Sequence, residues 1–510
     1  MKHEALGRPH PRVRSLTAIS AGQVPLRVII AVLLASFTLD NVLLLAFLGH
    51  PRWLVMGLSV ILPVTIGIFA ARAIPGEIRV SIRTMLVCLC IAALLLLLGG
   101  EGRIFFATDD WQIRDAVLAD MATHAWPFDY SLQGNAQMLR APIGMYLLPA
   151  LMGGASQASR DYALLAHNTV VLGFLLSAGA TLFEGRRARL IALTIFLVFS
   201  GLDVIGSGIA QWSTGHADWE HLERWADNHQ FSSHITQLFW VPHHAFASWT
   251  CALTYALWRR KWASPGLFGA SIALVALWSP FAIFGALPFA LFVGVRALIS
   301  RQWRWEDVPL GLIAAATAVP AMLYLRTDAE SVGSGFRAMP VALYLLVIGL
   351  EVLPILAPLI SDRSRHADRP TLLIAGAILL AVPLGAIGPG PDFQMRTSIM
   401  ALALVALALA DWALRVCTRG AQLYLIGILS LGSVTGAAEL YRAVTVAPSP
   451  EPRCSLVAVW MQQTNTIVPY ASYLADRTAF APPLVPASSR DLAGRQDPSR
   501  CWNRAWRESK

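Results

Sequence analysis

The sequence predicts an all-α polytopic membrane protein. Hydrophobic residue types make up 56% of the 510 residues and charged types only 14%, whereas a soluble protein carries about 25% charged residues. The apolar residues also fall in runs long enough to cross a bilayer, which takes about 20 residues. This composition excludes a soluble multidomain enzyme, a disordered chain, a coiled coil, a collagen-like fibre and a small disulfide-rich scaffold.

About thirteen transmembrane helices are expected from these apolar runs. The runs lie at 24–48, 53–74, 80–100, 162–183, 188–206, 235–258, 264–281, 282–300, 308–326, 339–360, 371–388, 396–414 and 421–443. A shorter run at 141–157 is interrupted by Pro142, Pro149, Gly153 and Gly154. We expect this run to be re-entrant or interfacial and not to cross the membrane.

Basic residues set the predicted orientation. If 141–157 does not cross, the basic N-terminus and all the short arginine-rich loops fall on one face, which the positive-inside rule assigns to the cytoplasm. These residues are Arg8, Arg12, Arg14, Arg27, Arg72, Arg79, Arg83, Arg186, Arg187, Arg189, Arg259, Arg260, Lys261, Arg301, Arg304, Arg363, Arg365, Arg369, Arg415 and Arg419. Short clusters between apolar runs also argue against a nucleic-acid partner, despite the net charge of +9.

The predicted spans and the predicted orientation divide the chain into four parts. Residues 1–100 form the N-terminal helices, 101–160 the first extracytoplasmic loop with amphipathic helices, 161–443 the transmembrane core and 444–510 an extracytoplasmic tail. High Ala, Arg and Leu usage favours a bacterial source. We therefore predict a multi-pass protein of the bacterial inner membrane, with a cytoplasmic N-terminus and a periplasmic C-terminus.

Two of the six cysteines lie in the predicted tail. An oxidising compartment would allow Cys454 and Cys501 to form a disulfide, and two unpaired thiols are the equal alternative. The other cysteines lie in or beside apolar helices, and we interpret them as packing residues. They are Cys88, Cys90, Cys251 and Cys417.

The densest polar signal is the acidic pair Asp109-Asp110, followed by Trp111-Gln-Ile-Arg114. Adjacent carboxylates at a membrane surface are costly unless they are paired, hydrated or bound to a metal. Like charges at this distance separate their pKa values, so one carboxylate becomes a candidate proton acceptor near neutral pH. The equal alternative is that Asp109 caps an amphipathic helix that lies on the membrane surface.

A second signal is the segment Gln237-Leu-Phe-Trp240-Val-Pro-His243-His244 inside an apolar span. Polar groups within a membrane span are functional candidates. Neighbouring residues on a helix point about 100° apart, so the two histidines face one site only if Pro242 distorts the helix. Histidines that only pack and hydrogen-bond within the helix bundle are the alternative, and a shared metal is not expected.

The loop before that span, 207–234, contains several histidines and acidic residues. Its composition resembles a set of metal ligands, but the spacing fits no closed zinc pattern. We therefore expect a solvated loop. Asp203 lies near the outer end of the preceding span, so it should face the same compartment as Asp110.

A third signal is the turn 389–392, which places Arg396 at the outer entrance of a span. An arginine at this position can bind a phosphate through two hydrogen bonds. The same outer layer contains Arg140, Arg326 and Arg337. Because basic residues on this face break the positive-inside pattern, we expect an anionic lipid headgroup to bind there. Pairing with nearby aspartates is the alternative.

With these features the chain resembles the GT-C superfamily of integral membrane glycosyltransferases. An apolar helix runs outward into a long first loop that opens with the acidic pair Asp109-Asp110, about a dozen helices follow, and an extracytoplasmic tail ends the chain. The segments Phe239-Trp-Val-Pro-His-His and Asp392-Phe-Gln-Met-Arg-Thr-Ser also resemble uncharacterised bacterial members. Compared with that family, 24–74 is an added N-terminal hairpin and 80–100 is the first core helix.

The resemblance implies a reaction. A sugar would move from a polyprenyl-phosphate donor, loaded from the lipid bilayer, to an extracytoplasmic glycan, lipid or protein, with inversion. Asp110, or second Asp109, would be the base, and Arg396 would neutralise the phosphate. Metal use varies across the family, so Mg or Mn is compatible and no other cofactor is expected. The residues expected to bind substrate are Arg396, Asp392, Arg114, Arg140, Arg337, His243, His244, Trp240, Gln237 and Asp203.

Two other functions remain open at this point. A transporter or flippase of lipid-linked sugars would use the same arginines without a base, but its usual sign is an inverted internal repeat, which we do not find. A membrane O-acyltransferase would use His243 or His244 as base. The acidic pair favours the glycosyltransferase.

Overall fold

The computed structural model describes residues 22–132, 134–227, 229–362, 368–388, 390–464, 473–486, 491–493, 501–502 and 504–506. Most of these residues are α-helical, and nine of the described helical segments are long and apolar enough to cross a membrane. The described part of the chain is therefore a multi-pass, mostly α-helical membrane protein. Some residues named above lie outside it: Arg8, Arg12, Arg14, Arg363, Arg365 and Pro389.

Nineteen helices are described. They are α1 (Leu26–Leu48), α2 (Arg52–Arg72), α3 (Ile82–Leu98), α4 (Asp110–Thr123), α5 (Gly144–Gly153), α6 (Gln157–Gly179), α7 (Arg186–Val198), α8 (Asp203–Thr214), α9 (His234–Trp240), α10 (Pro242–Arg259), α11 (Pro265–Leu274), α12 (Pro280–Ser300), α13 (Asp307–Arg326), α14 (Val341–Val347), α15 (Leu353–Ser361), α16 (Arg369–Ala381), α17 (Asp392–Ala413), α18 (Arg419–Thr445) and α19 (Leu456–Thr464). A π-helical turn, Ile348–Val352, joins α14 to α15.

The expected count of thirteen spans stays a prediction, because four of the expected spans contain helices that are short or broken. The expected span 80–100 contains α3, with 17 residues, and the span 264–281 contains α11, with 10 residues. The span 371–388 contains α16, with 13 residues. The span 235–258 is divided between α9 and α10.

Several contacts join helix ends that the charge pattern assigns to one face. On the basic face, the strands β1 (Gln23–Pro25) and β2 (Arg79–Ser81) pair the start of α1 with the start of α3. On the same face, Arg259 at the end of α10 forms a 2.6 Å ion pair with Asp368, just before α16. Opposite, α5 has only ten residues, about 15 Å or half of the hydrocarbon core. Its length fits the re-entrant segment expected at 141–157.

The first loop and the tail form one cap on the opposite face, although the sequence suggested two separate units. Their four strands are β3 (Phe128–Leu132), β4 (Asn135–Leu139), β7 (Leu474–Asp476) and β8 (Asp491–Ala493). The strand order is β7-β4-β3-β8, with β8 parallel to β3 and the other two pairs antiparallel. Two further strands, β5 (Ser334–Phe336) and β6 (Gly385–Ile387), form a separate ribbon. The tail therefore completes a sheet that the first loop begins.

The cysteines resolve the alternative that the sequence left open. Cys454 and Cys501 form a disulfide in the tail. Cys88 and Cys251 are buried, as expected of packing residues. Cys90 and Cys417 are exposed, so the packing interpretation is wrong for these two.

Helix α4 is not the surface-lying amphipathic helix that we expected. Every residue from Trp111 to Met121 is buried, and the helix packs between α5, α6 and α19. Its polar residues are buried because they have polar partners. Asp115 pairs with Arg103 at 2.7 Å, and Asp120 accepts a 3.0 Å hydrogen bond from the Tyr130 hydroxyl.

Candidate active site

An aspartate-arginine pair opens α4. Asp110 is the first residue of the helix, and its Oδ2 lies 3.1 Å from Nη2 of Arg114, one turn later. An acid at a helix N-terminus is favoured by the helix dipole, and the spacing of four places both side chains on one face. The guanidinium side chain is only 4% exposed and the carboxylate 40%. The accessible carboxylate of Asp110 therefore forms an ion pair with the buried guanidinium of Arg114.

The same arrangement opens α17. Asp392 is its first residue, and its Oδ1 lies 2.8 Å from Nη2 of Arg396. The two segments read Asp110-Trp-Gln-Ile-Arg114 and Asp392-Phe-Gln-Met-Arg396. The common pattern of acid, aromatic, glutamine, apolar and arginine is visible in the sequence, but we did not predict it as a repeated motif.

Electrostatic contacts join the two pairs into one site. The Arg114 guanidinium interacts with the carboxylates of both Asp110 and Asp392, and with the hydroxyl of Tyr146 on α5. Tyr473, which immediately precedes β7 in the tail, interacts with both aspartates and with both arginines. The N-termini of α4 and α17 therefore lie within electrostatic range of each other. Sequence reasoning missed both tyrosines, because neither belongs to a polar cluster.

The two histidines lie within electrostatic range of the same site, in the first turn of a helix that follows a break. Val241 has non-helical backbone angles, φ −138° and ψ 51°, and α10 starts at Pro242. The ring centroids of His243 and His244 are 4.1 Å apart, and both rings interact electrostatically with Arg114 and Arg396. The expectation of one continuous helix over 235–258 is wrong, and both histidines lie in the first turn of α10, directly after the break.

The break after α9 also provides a hydrogen-bond acceptor that holds α4 in position. The last four carbonyl groups of a helix lack partners within the helix. At the end of α9, the Phe239 carbonyl accepts a 2.8 Å hydrogen bond from the indole N–H of Trp111. The Arg114 guanidinium carbon lies 5.6 Å from the centre of the Trp111 ring, within range of a cation–π interaction. Trp111 therefore connects the broken helix to the arginine of the site.

Buried ion pairs around Arg103 hold α4 against α6 and the tail. Arg103 contacts Asp115 at 2.7 Å and Asp161 on α6 at 2.8 Å, and it donates to the carbonyl of Pro450 in the tail. Burial raises the pKa of Asp115 to about 6, against the opposing effect of Arg103. Burial likewise raises the pKa of Glu101 to about 8, although its carboxylate accepts a hydrogen bond from an amide at 2.8 Å.

Three nitrogen atoms in the site are buried and have no hydrogen-bond partner among the described residues. They are Nη1 of Arg114, Nε of Arg396 and Nδ1 of His243. A buried donor without a partner costs roughly 1–3 kcal/mol. Unsatisfied groups that converge from three helices are therefore candidate contacts for a bound substrate.

Asp109 has a different place from Asp110. It occupies the N-cap position of α4, but its carboxylate accepts no capping hydrogen bond within the described helix. Its backbone carbonyl accepts a 3.2 Å hydrogen bond from Gln463 on α19. The capping alternative for Asp109 is therefore wrong, and Asp110 is the acid that pairs with an arginine of the site.

The two other outer arginines expected to bind substrate support the site from outside. Arg337 donates through Nη2 to the carbonyl of Gly390, in the turn that precedes α17. The backbone N–H of Arg140 donates to the Tyr473 carbonyl at 2.6 Å, and its guanidinium interacts with Asp328. These contacts lie in segments that flank the site, so both arginines hold its surroundings in place.

Three more predicted residues lie in a separate polar cluster around α8, α9 and α18. Trp240 donates to Glu439 at 3.2 Å, and Asp203 accepts from Thr435 at 2.8 Å. The Gln237 amide donates to the backbone just before α9. The structure therefore does not bring these three residues to the acidic pair.

The loop 207–234 is not fully solvated, contrary to expectation. His221, Glu223 and His229 are buried in its second half, where Glu223 accepts a 2.8 Å hydrogen bond from the backbone of Ser233. Burial raises the pKa of Glu223 to about 7. No group of three or more His, Cys, Asp or Glu residues in the described ranges is arranged to hold a metal ion.

A divalent metal does not fit the acids of the candidate site. Mg²⁺ and Mn²⁺ favour several oxygen ligands with free negative charge. Asp110 and Asp392 are instead each paired with an arginine, and the described residues add no third ligand. We therefore derive no step through a metal.

The arrangement can remove a proton and stabilise an anion. Two accessible carboxylates can accept a proton from a hydroxyl group, and two guanidinium groups with orphaned N–H donors can bind a phosphate. The N-termini of α4 and α17 add partial positive charge. No protein-family model, no curated protein and no solved structure matches this chain.

Proposed function

We propose that this chain is a membrane glycosyltransferase that moves a sugar from a polyprenyl-phosphate donor to an extracytoplasmic acceptor, with inversion. The observation that carries the proposal is the pair of accessible carboxylates, Asp110 and Asp392, which are ion-paired with the buried Arg114 and the partly buried Arg396. The first loop, which the GT-C resemblance identifies as the catalytic one, supplies half of this site.

In the proposed reaction, the Asp110 carboxylate accepts the proton of the acceptor hydroxyl while its oxygen attacks the anomeric carbon. The bond between that carbon and the phosphate oxygen breaks, and the phosphate leaves with the electron pair. Arg396 then neutralises the charge that develops on the phosphate. Asp109 is the second candidate for the base.

Inversion requires the base and the leaving group to lie on opposite sides of the sugar. The two halves of the site come from different helices, α4 and α17, and we assign one half to each side of the sugar. In our proposal the acceptor lies on the Asp110 side and the phosphate on the Arg396 side. Both helices are held by long-range contacts, which keeps the reacting groups in place.

The proposal is tested in membranes that contain the full chain and a radiolabelled polyprenyl-phosphate sugar mixture. We expect Asp110→Asn, which keeps the shape of the side chain and removes its basicity, to lower label transfer by about 100-fold or more. Asp109→Asn tests the second candidate for the base and should keep most of the transfer, because Asp110 is the acid that pairs with an arginine of the site. Full transfer by Asp110→Asn, at equal expression, would remove Asp110 from the mechanism.

The flippase remains the rival that shares the same arginines. The repeated motif of Asp110 and Asp392 is only five residues long, and it gives no sign of the inverted repeat of whole helices that transporters show. Movement of the donor across the bilayer without transfer to any acceptor, in wild type and Asp110→Asn alike, would favour a flippase.

One observation favours the acyltransferase as a second candidate. His244 Nδ1 lies 2.7 Å from Oγ of Ser279, a contact typical of an activated serine nucleophile. The same hydroxyl also accepts the capping hydrogen bond of α12 from Ala282, which is a structural reason for its presence. Loss of acyl transfer in Ser279→Ala, with no sugar transfer in wild type, would favour this candidate.

A further inference from the structure

A second cavity lies apart from the candidate active site and opens near the basic face. It has a volume of about 400 Å³ and is lined by α3, α6, α7, α10 and α17. Its wall is mostly apolar and includes Cys88, Leu193, Phe196 and Trp249. A volume of this size is typical of a site for a small ligand.

Positive charge is concentrated at one end of this cavity. Arg83, near the start of α3, lines it together with Arg186 and Arg189 at the start of α7. No acidic residue appears among the described residues that line the cavity. A ligand that fits therefore has an anionic end at the membrane surface and an apolar remainder inside.

The depth of the cavity matches one leaflet of a bilayer. Along α7 the lining runs from Arg186 to Phe196, ten residues or about 15 Å. The hydrocarbon core is about 30 Å thick, so the cavity reaches from the basic surface to the middle of the membrane. A polyprenyl chain is longer than one leaflet and would not be contained.

We propose that this cavity binds an anionic glycerophospholipid from the leaflet on the basic face, with one acyl chain inside and the headgroup phosphate on Arg83, Arg186 and Arg189. The lipid would fill the space between five helices whose apolar side chains otherwise face a void. This site is independent of the proposed sugar transfer, because it shares no residue with the Asp110 site.

The chain offers matched variants for a test. Gly179, the last residue of α6, lines the cavity and has open space where a Cβ would lie, so Gly179→Leu would fill the cavity without a backbone clash. Gly294 on α12 has the same open space but does not line the cavity, which makes Gly294→Leu the control. Likewise Arg187→Ala, next to the lining residue, is the control for Arg186→Ala.

The measurement is native mass spectrometry of the full chain from nanodiscs that contain phosphatidylglycerol and phosphatidylcholine in equal parts. Wild type and both controls should retain one phosphatidylglycerol in preference to phosphatidylcholine. Arg186→Ala should lower that preference about fivefold, the effect of one arginine at a membrane surface, and Gly179→Leu should lose the bound lipid. Equal retention of both lipids by wild type, or unchanged retention by Gly179→Leu, would overturn the proposal.

Discussion

Ionisation of Glu101 should couple the stability of this protein to pH. Glu101 follows α3 and is only 2% exposed. One carboxylate oxygen accepts a hydrogen bond from Asn168 at 2.8 Å, and the other is buried without a hydrogen-bond partner among the described residues. Burial raises the pKa of the carboxyl from its ordinary value of 4.5 to about 8. At neutral pH it is therefore protonated, so the charge of nearby Arg114 stays available to the candidate site.

The sign of the effect follows from the raised pKa. Above pH 4.5 the unfolded chain loses this proton, but the folded chain keeps it up to about pH 8. Unfolding then releases a proton, so the free energy of unfolding falls as pH rises through this window, by about 1.4 kcal/mol per pH unit. Between about pH 6 and about pH 8, the loss from Glu101 is about 2 kcal/mol, because the slope falls as the folded-state carboxyl begins to ionise near pH 8.

The assay is denaturant unfolding of the detergent-purified chain, followed by tryptophan fluorescence at both pH values. Glu101→Gln keeps the shape of the side chain but cannot ionise, so its loss between the two pH values should be smaller than that of wild type by about 2 kcal/mol. Glu184→Gln, at an exposed glutamate, should behave as wild type does. Equal losses in all three proteins would refute the buried, protonated state of Glu101.

Three further changes test the architecture. Removing the Cys454–Cys501 disulfide, which spans 47 residues, should cost about 4 kcal/mol by the chain-entropy model, seen as a lower denaturation midpoint of the tail. Gly144→Ala should lower the melting temperature sharply, because the added Cβ would overlap the Trp278 ring, and unchanged melting would contradict that packing. Trp111→Phe should cost about 1–3 kcal/mol by leaving a buried carbonyl without its donor, and should also slow transfer.

The sequence predicted where most helices lie, because the apolar length of a helix is a local property. It could not predict the break at Val241. Pro242 gave a hint, but the carbonyl that the break exposes is satisfied by Trp111, 128 residues away in the chain. The buried state of α4 was also missed, because it depends on packing against helices as far away in the chain as α19.

Prediction of the candidate site had the same limit. Arg396 and Arg337 look alike in the sequence, because both lie near the end of an apolar run. In the structure, however, Arg396 lies in the site and Arg337 holds a turn beside it. The two cases differ only in their tertiary partners. Nothing in the sequence around Tyr473 indicates that it lies in the site, because the pairing of the tail strands with the first loop places it there and no sequence motif marks it.

The shared sheet of the cap also has a consequence for biosynthesis. The backbone N–H of Leu456 binds the Asp120 carboxylate across 336 residues of chain. At about 5–20 residues per second, the ribosome needs about 17 to 67 seconds to add that length. During this time the nascent first loop has neither its edge strands nor Tyr473, so the candidate site is complete only when the last part of the chain has been added.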